Sequence, residues 1–78
     1  FSPDTIILDP PRSGASTSLL NYIIHHRIKK IIYVSCSPPT LARDLKILIQ
    51  AGYRLRELRL VDMFPHTYHI ESVSLLTI

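Results

Sequence analysis

An unbroken β-prone run, Lys30-Ile31-Ile32-Tyr33-Val34-Ser35, lies between two segments whose apolar residues recur at helical spacing. Such a run, nearly all apolar and without alternation, reads as a parallel strand covered on both faces. Before it, Leu20, Ile23, Ile24, Arg27 and Ile28, with Leu19 beside them, predict an amphipathic helix from about Ser16 to Arg27. After it, Leu41, Leu45, Leu48 and Ile49 form a second helical stripe. Ser37 as N-cap and Pro38 at the first helical position open that helix, and Gly52 closes it. An earlier short run, Thr5-Ile6-Ile7-Leu8, stops at Asp9-Pro10-Pro11, because proline lacks the N–H a ladder needs. A Ser/Gly/Thr-rich stretch from Ser13 to Ser18 then leads into the first helix. Tyr53 to Val61 and Ile70 to Ile78 read as extended, with Leu58 and Leu60 on one face and a loop, Asp62 to His69, between the two strands. The order strand, helix, strand, helix, strand, strand calls for an α/β fold with right-handed crossovers. The last connection is too short for a crossover helix, so the last strand is antiparallel, in a hairpin.

Size and composition narrow the field. A chain of 78 residues buries only roughly 60% of its unfolded surface, so it is one domain at most, or half of a larger one. Hydrophobic residues at 46% and charged residues at 19% are a globular balance rather than a disordered one. Nine basic against six acidic residues give +3, which tolerates an anionic partner such as RNA without requiring one. One cysteine excludes an intrachain disulfide and a cysteine-cluster zinc or iron–sulfur site within the chain, and fits a reducing compartment. The apolar runs are too short to span a membrane, and Phe1-Ser2-Pro3-Asp4 opens without a signal peptide's basic and apolar regions. The expectation is a cytoplasmic protein with no membrane association.

Topology gathers the chemistry. In open α/β sheets, ligands bind beyond the carboxyl ends of the strands. Asp9 ends the first strand and Cys36 the second, while Glu71 lies at the start of the last, which descends from the same edge. A thiol and a separate carboxylate at one rim suit nucleophilic catalysis with its own base. Cys36 also precedes a helix start, where a negative charge is favoured. The competing reading is a buried structural cysteine. Asp9-Pro10-Pro11-Arg12 has rivals as well: a plain strand stop, or a relative of the Asp-Pro-Pro-aromatic tetrad of amine methylation, with Arg12 in the aromatic place. His66 and His69, with Glu71, are too loosely spaced for a metal site, and no metal is expected. A polar loop there that packs Phe64 into the core is the preferred reading. His25 and His26 read as a solvated helix end, and Arg54, Arg56 and Arg59 as charge protection of an edge strand rather than an RNA-facing stripe.

Three segments together carry a resemblance. They are Asp9-Pro10-Pro11-Arg12-Ser13-Gly14; Tyr33-Val34-Ser35-Cys36-Ser37-Pro38-Pro39-Thr40-Leu41-Ala42-Arg43-Asp44; and Asp62-Met63-Phe64-Pro65-His66-Thr67-Tyr68-His69-Ile70-Glu71-Ser72. In this order they resemble the C-terminal catalytic half of the RNA (uracil-5-)-methyltransferase family, which makes 5-methyluridine with S-adenosylmethionine. Leu41-Ala42-Arg43-Asp44 and the third segment resemble the 23S ribosomal RNA branch more than the transfer-RNA branch. The resemblance implies that Cys36 is the nucleophile, that Glu71 is the base removing the uracil C5 proton, and that Asp9 lies beside cofactor and target base. Where the family usually has Asn after the nucleophile, this chain has Ser37.

The same resemblance implies what surrounds the chain. Its fold is the second half of a doubly wound, Rossmann-like methyltransferase sheet, so residues 1–78 are expected to be the C-terminal part of a class I S-adenosylmethionine-dependent domain. With Gly14 and Gly52 as its glycines, the chain has no Gly-rich cofactor loop. In the family that loop lies in the preceding half, and an RNA-binding domain and, in many members, an iron–sulfur cluster lie further upstream. The isolated chain is expected to be inactive and to self-associate through its exposed first-strand edge. The alternative function is a non-catalytic remnant that binds RNA or a partner.

Overall fold

The computed structural model describes residues 4–11, 13–62 and 70–78. Its elements are β1 (Thr5–Leu8), α1 (Thr17–His26), β2 (Lys30–Ser35), α2 (Pro38–Gln50), β3 (Arg54–Asp62) and β4 (Ile70–Thr77). Each lies within a residue or two of its sequence-based bounds. Arg12 and the whole of 63–69, with Phe64, His66 and His69, lie outside the described residues.

Local chemistry sets the helix ends. Ser16, in extended conformation, accepts a hydrogen bond from the Leu19 N–H at 3.2 Å and so starts α1. Arg27 adopts a left-handed conformation, φ 49°, and ends it. There the Ile28 N–H returns to the Ile23 carbonyl and the Arg27 N–H to that of Ile24, satisfying carbonyls that the last turn leaves open. Pro38 occupies the first turn of α2, and Gly52, at φ +109°, lets the chain turn away after its last residues.

The sheet runs in the order β1-β2-β4-β3. β1 and β2 are parallel, with Leu8 beside Tyr33. β4 returns antiparallel and inserts between β2 and β3, so the two strands joined by α2 are not neighbours. The hairpin of β3 and β4 forms as the short connection requires, with an irregularity between Leu55 and Glu57. That extra residue keeps Leu55, Leu58 and Leu60 in register with Leu76, Ser74 and Ser72, on one face of the sheet.

Both helices pack on that face. Leu20 and Ile23 of α1, Leu41 and Leu48 of α2, Ile31 and Tyr33 of β2 and Leu76 of β4 share one core with Leu8, Ile28 and Tyr53. The expectation that β2 is covered on both faces therefore needs correction. Ile32 and Val34, which point the other way, are half-buried, as are Val73 and Leu75 beside them. A second correction concerns α2. Ile49 is 47% exposed and Asp44 is fully buried in its place. At 100° per residue, Leu41, Asp44 and Leu48 line one face, while Ile49 falls about 80° round from Leu41. β3 is an edge strand whose Arg54, Arg56 and Arg59 are exposed, in keeping with the edge-protection reading.

Candidate active site

The carboxyl end of β2 organises the site. The β2–β4 register runs out at Ser35 opposite Ser72. Cys36 follows Ser35 along the chain and Glu71 precedes Ser72, so both lie at the same end of the sheet. On its far side Glu71 pairs with Val61 of β3. Asp9 follows Leu8, the last residue of β1, and Leu8 pairs with Tyr33, which puts Asp9 on the neighbouring strand at that same rim. The three residues singled out in the sequence thus lie at one end of the sheet. Cys36 is exposed, which sets aside the buried structural cysteine; Asp9 is exposed and Glu71 half-buried.

The turn carrying Cys36 is tied by its neighbours. The Ser35 hydroxyl accepts from the Ser37 N–H at 3.0 Å and lies 3.1 Å from the Ser37 carbonyl, to which it donates. The Thr40 hydroxyl donates to the same carbonyl at 3.0 Å, and the Ser72 hydroxyl donates to the Ser35 carbonyl at 3.3 Å. Ser37 stands at the N-cap position as expected, but its side chain makes no capping bond. Pro39 at the second helical position has no N–H, which removes one of the two donors such a cap serves; the Thr40 N–H is the other. The side chain that shapes this turn is Ser35.

A buried network lies beneath the rim, and the sequence reading missed it. The carboxyl group of Asp44, fully buried, accepts from the Ala15 N–H at 2.9 Å, from the Tyr33 hydroxyl at 2.5 Å and from Arg43 Nε at 3.1 Å. Arg43 also donates to the Ser13 carbonyl at 2.9 Å. Gly14, at φ +89°, sits so close that a Cβ there would collide with the Arg43 guanidinium and come within 2.9 Å of Asp44 Oδ2. A cavity of about 630 Å³ beside this junction is lined by Pro10, Pro11, Ser13, Gly14, Arg43 and Asp44 among others. Burial, and then the bond and charge of Asp44, hold the Tyr33 phenol well above its ordinary range. One signal was present in the sequence: a carboxylate three residues after Leu41 and four before Leu48, on the apolar side of a helix. Among the described residues no cluster of metal-ligating side chains occurs, and no helix is long and apolar enough to cross a membrane.

Comparison with known proteins agrees on one group. The tRNA (uracil-5-)-methyltransferase family matches residues 1–78. An uncharacterized RNA methyltransferase of Bacillus cereus is 54% identical over 74 residues, covering 95% of this chain and 16% of the relative. The 23S rRNA (uracil(1939)-C(5))-methyltransferase RlmD of Histophilus somni is 53% identical over 72 residues, covering 92% of this chain and 16% of the relative. Among solved structures, Pyrococcus abyssi tRNA (uracil-54, C5)-methyltransferase in complex with S-adenosyl-L-homocysteine superposes with a TM-score of 0.85 at 46% identity, over 95% of this chain and 18% of that one. The chain therefore spans about a sixth of the length of the proteins it matches.

Proposed function

The chain belongs to the tRNA (uracil-5-)-methyltransferase family, and from that premise we propose that residues 1–78 supply the C-terminal part of a class I methyltransferase domain that forms 5-methyluridine in RNA. The observation that supports this reading is the place of Cys36 and Glu71 at one end of the sheet, each next to a member of the last β2–β4 pair, Ser35 and Ser72.

The chemistry of the substrate explains why a thiol and a carboxylate are both required. Uracil C5 is too weak a nucleophile to take a methyl group unaided. The Cys36 thiolate adds to C6, forming a C–S bond and pushing the ring electrons into an enolate with nucleophilic character at C5. S-adenosylmethionine, when bound, would supply an electrophilic methyl group to that carbon, its sulfonium sulfur keeping the bond pair and leaving as a neutral thioether. Glu71 then takes the C5 proton, the C5–C6 double bond re-forms, and the Cys36 thiolate leaves. The target uridine must leave any base stack for C6 to meet the thiol. Asp9, exposed beside this pair, is the group of the chain suited to contact the cofactor. Gly14 is packed against Arg43 and Asp44 and Gly52 ends α2, so neither belongs to a cofactor cradle. Among the described residues, Asp9 thus fits one contact to S-adenosylmethionine, and neither glycine adds a cradle for it.

The finer reading is ribosomal RNA over transfer RNA. It is supported by Leu41-Ala42-Arg43-Asp44 and by the likeness to the Histophilus somni enzyme, whose name gives a 23S rRNA uridine. The test is made in the full-length polypeptide that carries these residues. Incubated with 5-fluorouridine RNA and cofactor, it should form a covalent RNA–protein adduct, because fluorine cannot leave as a proton. The adduct should map to Cys36 and vanish in Cys36→Ala. An adduct that survives that substitution, or labelled methyl groups found off uracil C5, would refute the reading. Incorporation into transfer RNA but not ribosomal RNA would overturn the finer part alone.

A further inference from the structure

We propose that Asp44 is a positioning residue, which fixes the loop between β1 and α1 and thereby holds Asp9 at the end of the sheet it shares with Cys36. The inference rests on the functional reading above for the role of Asp9, and on separate observations for the fastening.

Among its described residues, the loop from Asp9 to Ser16 is fastened from within and from α2. Its described backbone contacts include one tight turn, in which the Gly14 N–H donates to the Pro11 carbonyl at 2.8 Å. Two further ties come from α2, some thirty residues away: the Ala15 N–H to Asp44, and Arg43 to the Ser13 carbonyl. The same Asp44 oxygen that receives Ala15 also receives the Tyr33 hydroxyl. Tyr33 lies three residues before Cys36 on β2 and pairs in register with Leu8, directly before Asp9. One carboxyl group therefore joins the loop that begins at Asp9, the strand that leads into Cys36 and the helix that follows Cys36. A surface ion pair would do little of this. Asp44 is fully buried, so its bonds are undiluted by water, and losing it strands a buried phenol and a buried amide without acceptors. Gly14 belongs to the same device: a Cβ there would meet the Arg43 guanidinium and Asp44 Oδ2, so the guanidinium or the loop would have to shift.

The experiment compares wild type with Asp44→Asn and Arg43→Gln in the full-length polypeptide. Asp44→Asn keeps an oxygen for Ala15 and Tyr33 but turns an amide N–H₂ toward Arg43. Arg43→Gln, at a half-exposed position, leaves the core intact and removes the tie to Ser13. Both should raise hydrogen exchange at the Ala15 amide and lower kcat for methyl transfer by about 10- to 100-fold. RNA affinity and the rate of Cys36 alkylation by a small reagent should stay within about twofold of wild type. Arg43→Lys, which still reaches the Ser13 carbonyl, should recover part of the lost kcat. Folded variants with unchanged kcat, or with unchanged exchange at Ala15, would overturn the inference and leave the functional reading standing. A wild type that transfers no methyl to uridine would bring down both.

Discussion

Glu71 is the residue whose substitution separates the two halves of the proposed chemistry. Addition of the Cys36 thiol needs no base at C5, whereas release of the methylated product does. Glu71→Gln keeps the size and polarity of the side chain and removes its basicity. On ordinary uridine RNA this variant should accumulate a methylated adduct on Cys36 and turn over at least about a hundredfold more slowly, as read by gel shift and labelled product. Free product at the wild-type rate would remove Glu71 from the role. Ser74 makes a different point at the same scale. Its side chain is fully buried beside Tyr33 and Leu58, and its hydroxyl has no hydrogen-bond partner among the described residues. A buried, unpaired hydroxyl costs more than the small packing area it fills. Ser74→Ala should stabilise the chain by about 1 kcal/mol, seen as a rise of about 4–8 °C in Tm; a lower Tm would mean that the hydroxyl is paired.

Elements rather than residues were legible in advance, and the division has a physical cause. Periodicity and capping are local, so β1, β2 and both helices emerge from the pattern of Ile, Leu, Ser and Pro alone. The rim position of Asp9, Cys36 and Glu71 was legible too, because it follows from strand direction. The place of β4 between β2 and β3 was not, since no local pattern states which strand a returning hairpin will join. Asp44 was hidden for a related reason: a carboxylate on the inner side of α2 makes sense only once Tyr33 and the Ala15 N–H are known to meet it. Those contacts also set a pH dependence for the packing of α2 and β2. Burial, with Asp44 second, raises the Tyr33 phenol, and burial raises that of Tyr53, which donates to the Ile28 carbonyl at 2.5 Å. Unfolded phenols lose their protons near about pH 10, so above that pH the unfolded chain binds fewer protons than the folded one. Stability is therefore fully present below about pH 10 and falls as pH rises beyond it. Urea midpoints should be level from about pH 8 to 9 and drop above about pH 10, with a shallower drop in Tyr33→Phe. An unchanged midpoint at about pH 11 would contradict the burial of both rings.

For the molecule as a whole, the layout is one-sided. The helices cover the face of Ile31, Tyr33 and Leu76, while Ile32, Val34, Val73 and Leu75 on the other face are only half-buried. The two edges of the sheet differ in the same way. β3 presents Arg54, Arg56 and Arg59, with Arg56 donating to the Thr77 hydroxyl at 2.7 Å and Arg59 paired with Glu57. Such charges discourage a further strand from joining. β1 is the opposite edge, four residues long, and it carries Ile7 at 69% exposure with no charge within the strand. Its four residues limit how many bonds an added strand can make, but a neutral edge next to an open apolar face carries none of the charges that guard β3, and a net charge of +3 is too small to prevent two copies from meeting. The 78-residue chain on its own should therefore self-associate through β1. Sedimentation should show a weight-average mass that rises with concentration, and Ile7→Lys should return it toward the monomer by placing a charge on the edge and its open face at once. A strictly monomeric profile at high concentration, or association unaffected by Ile7→Lys, would show that the β1 edge is not the surface that joins.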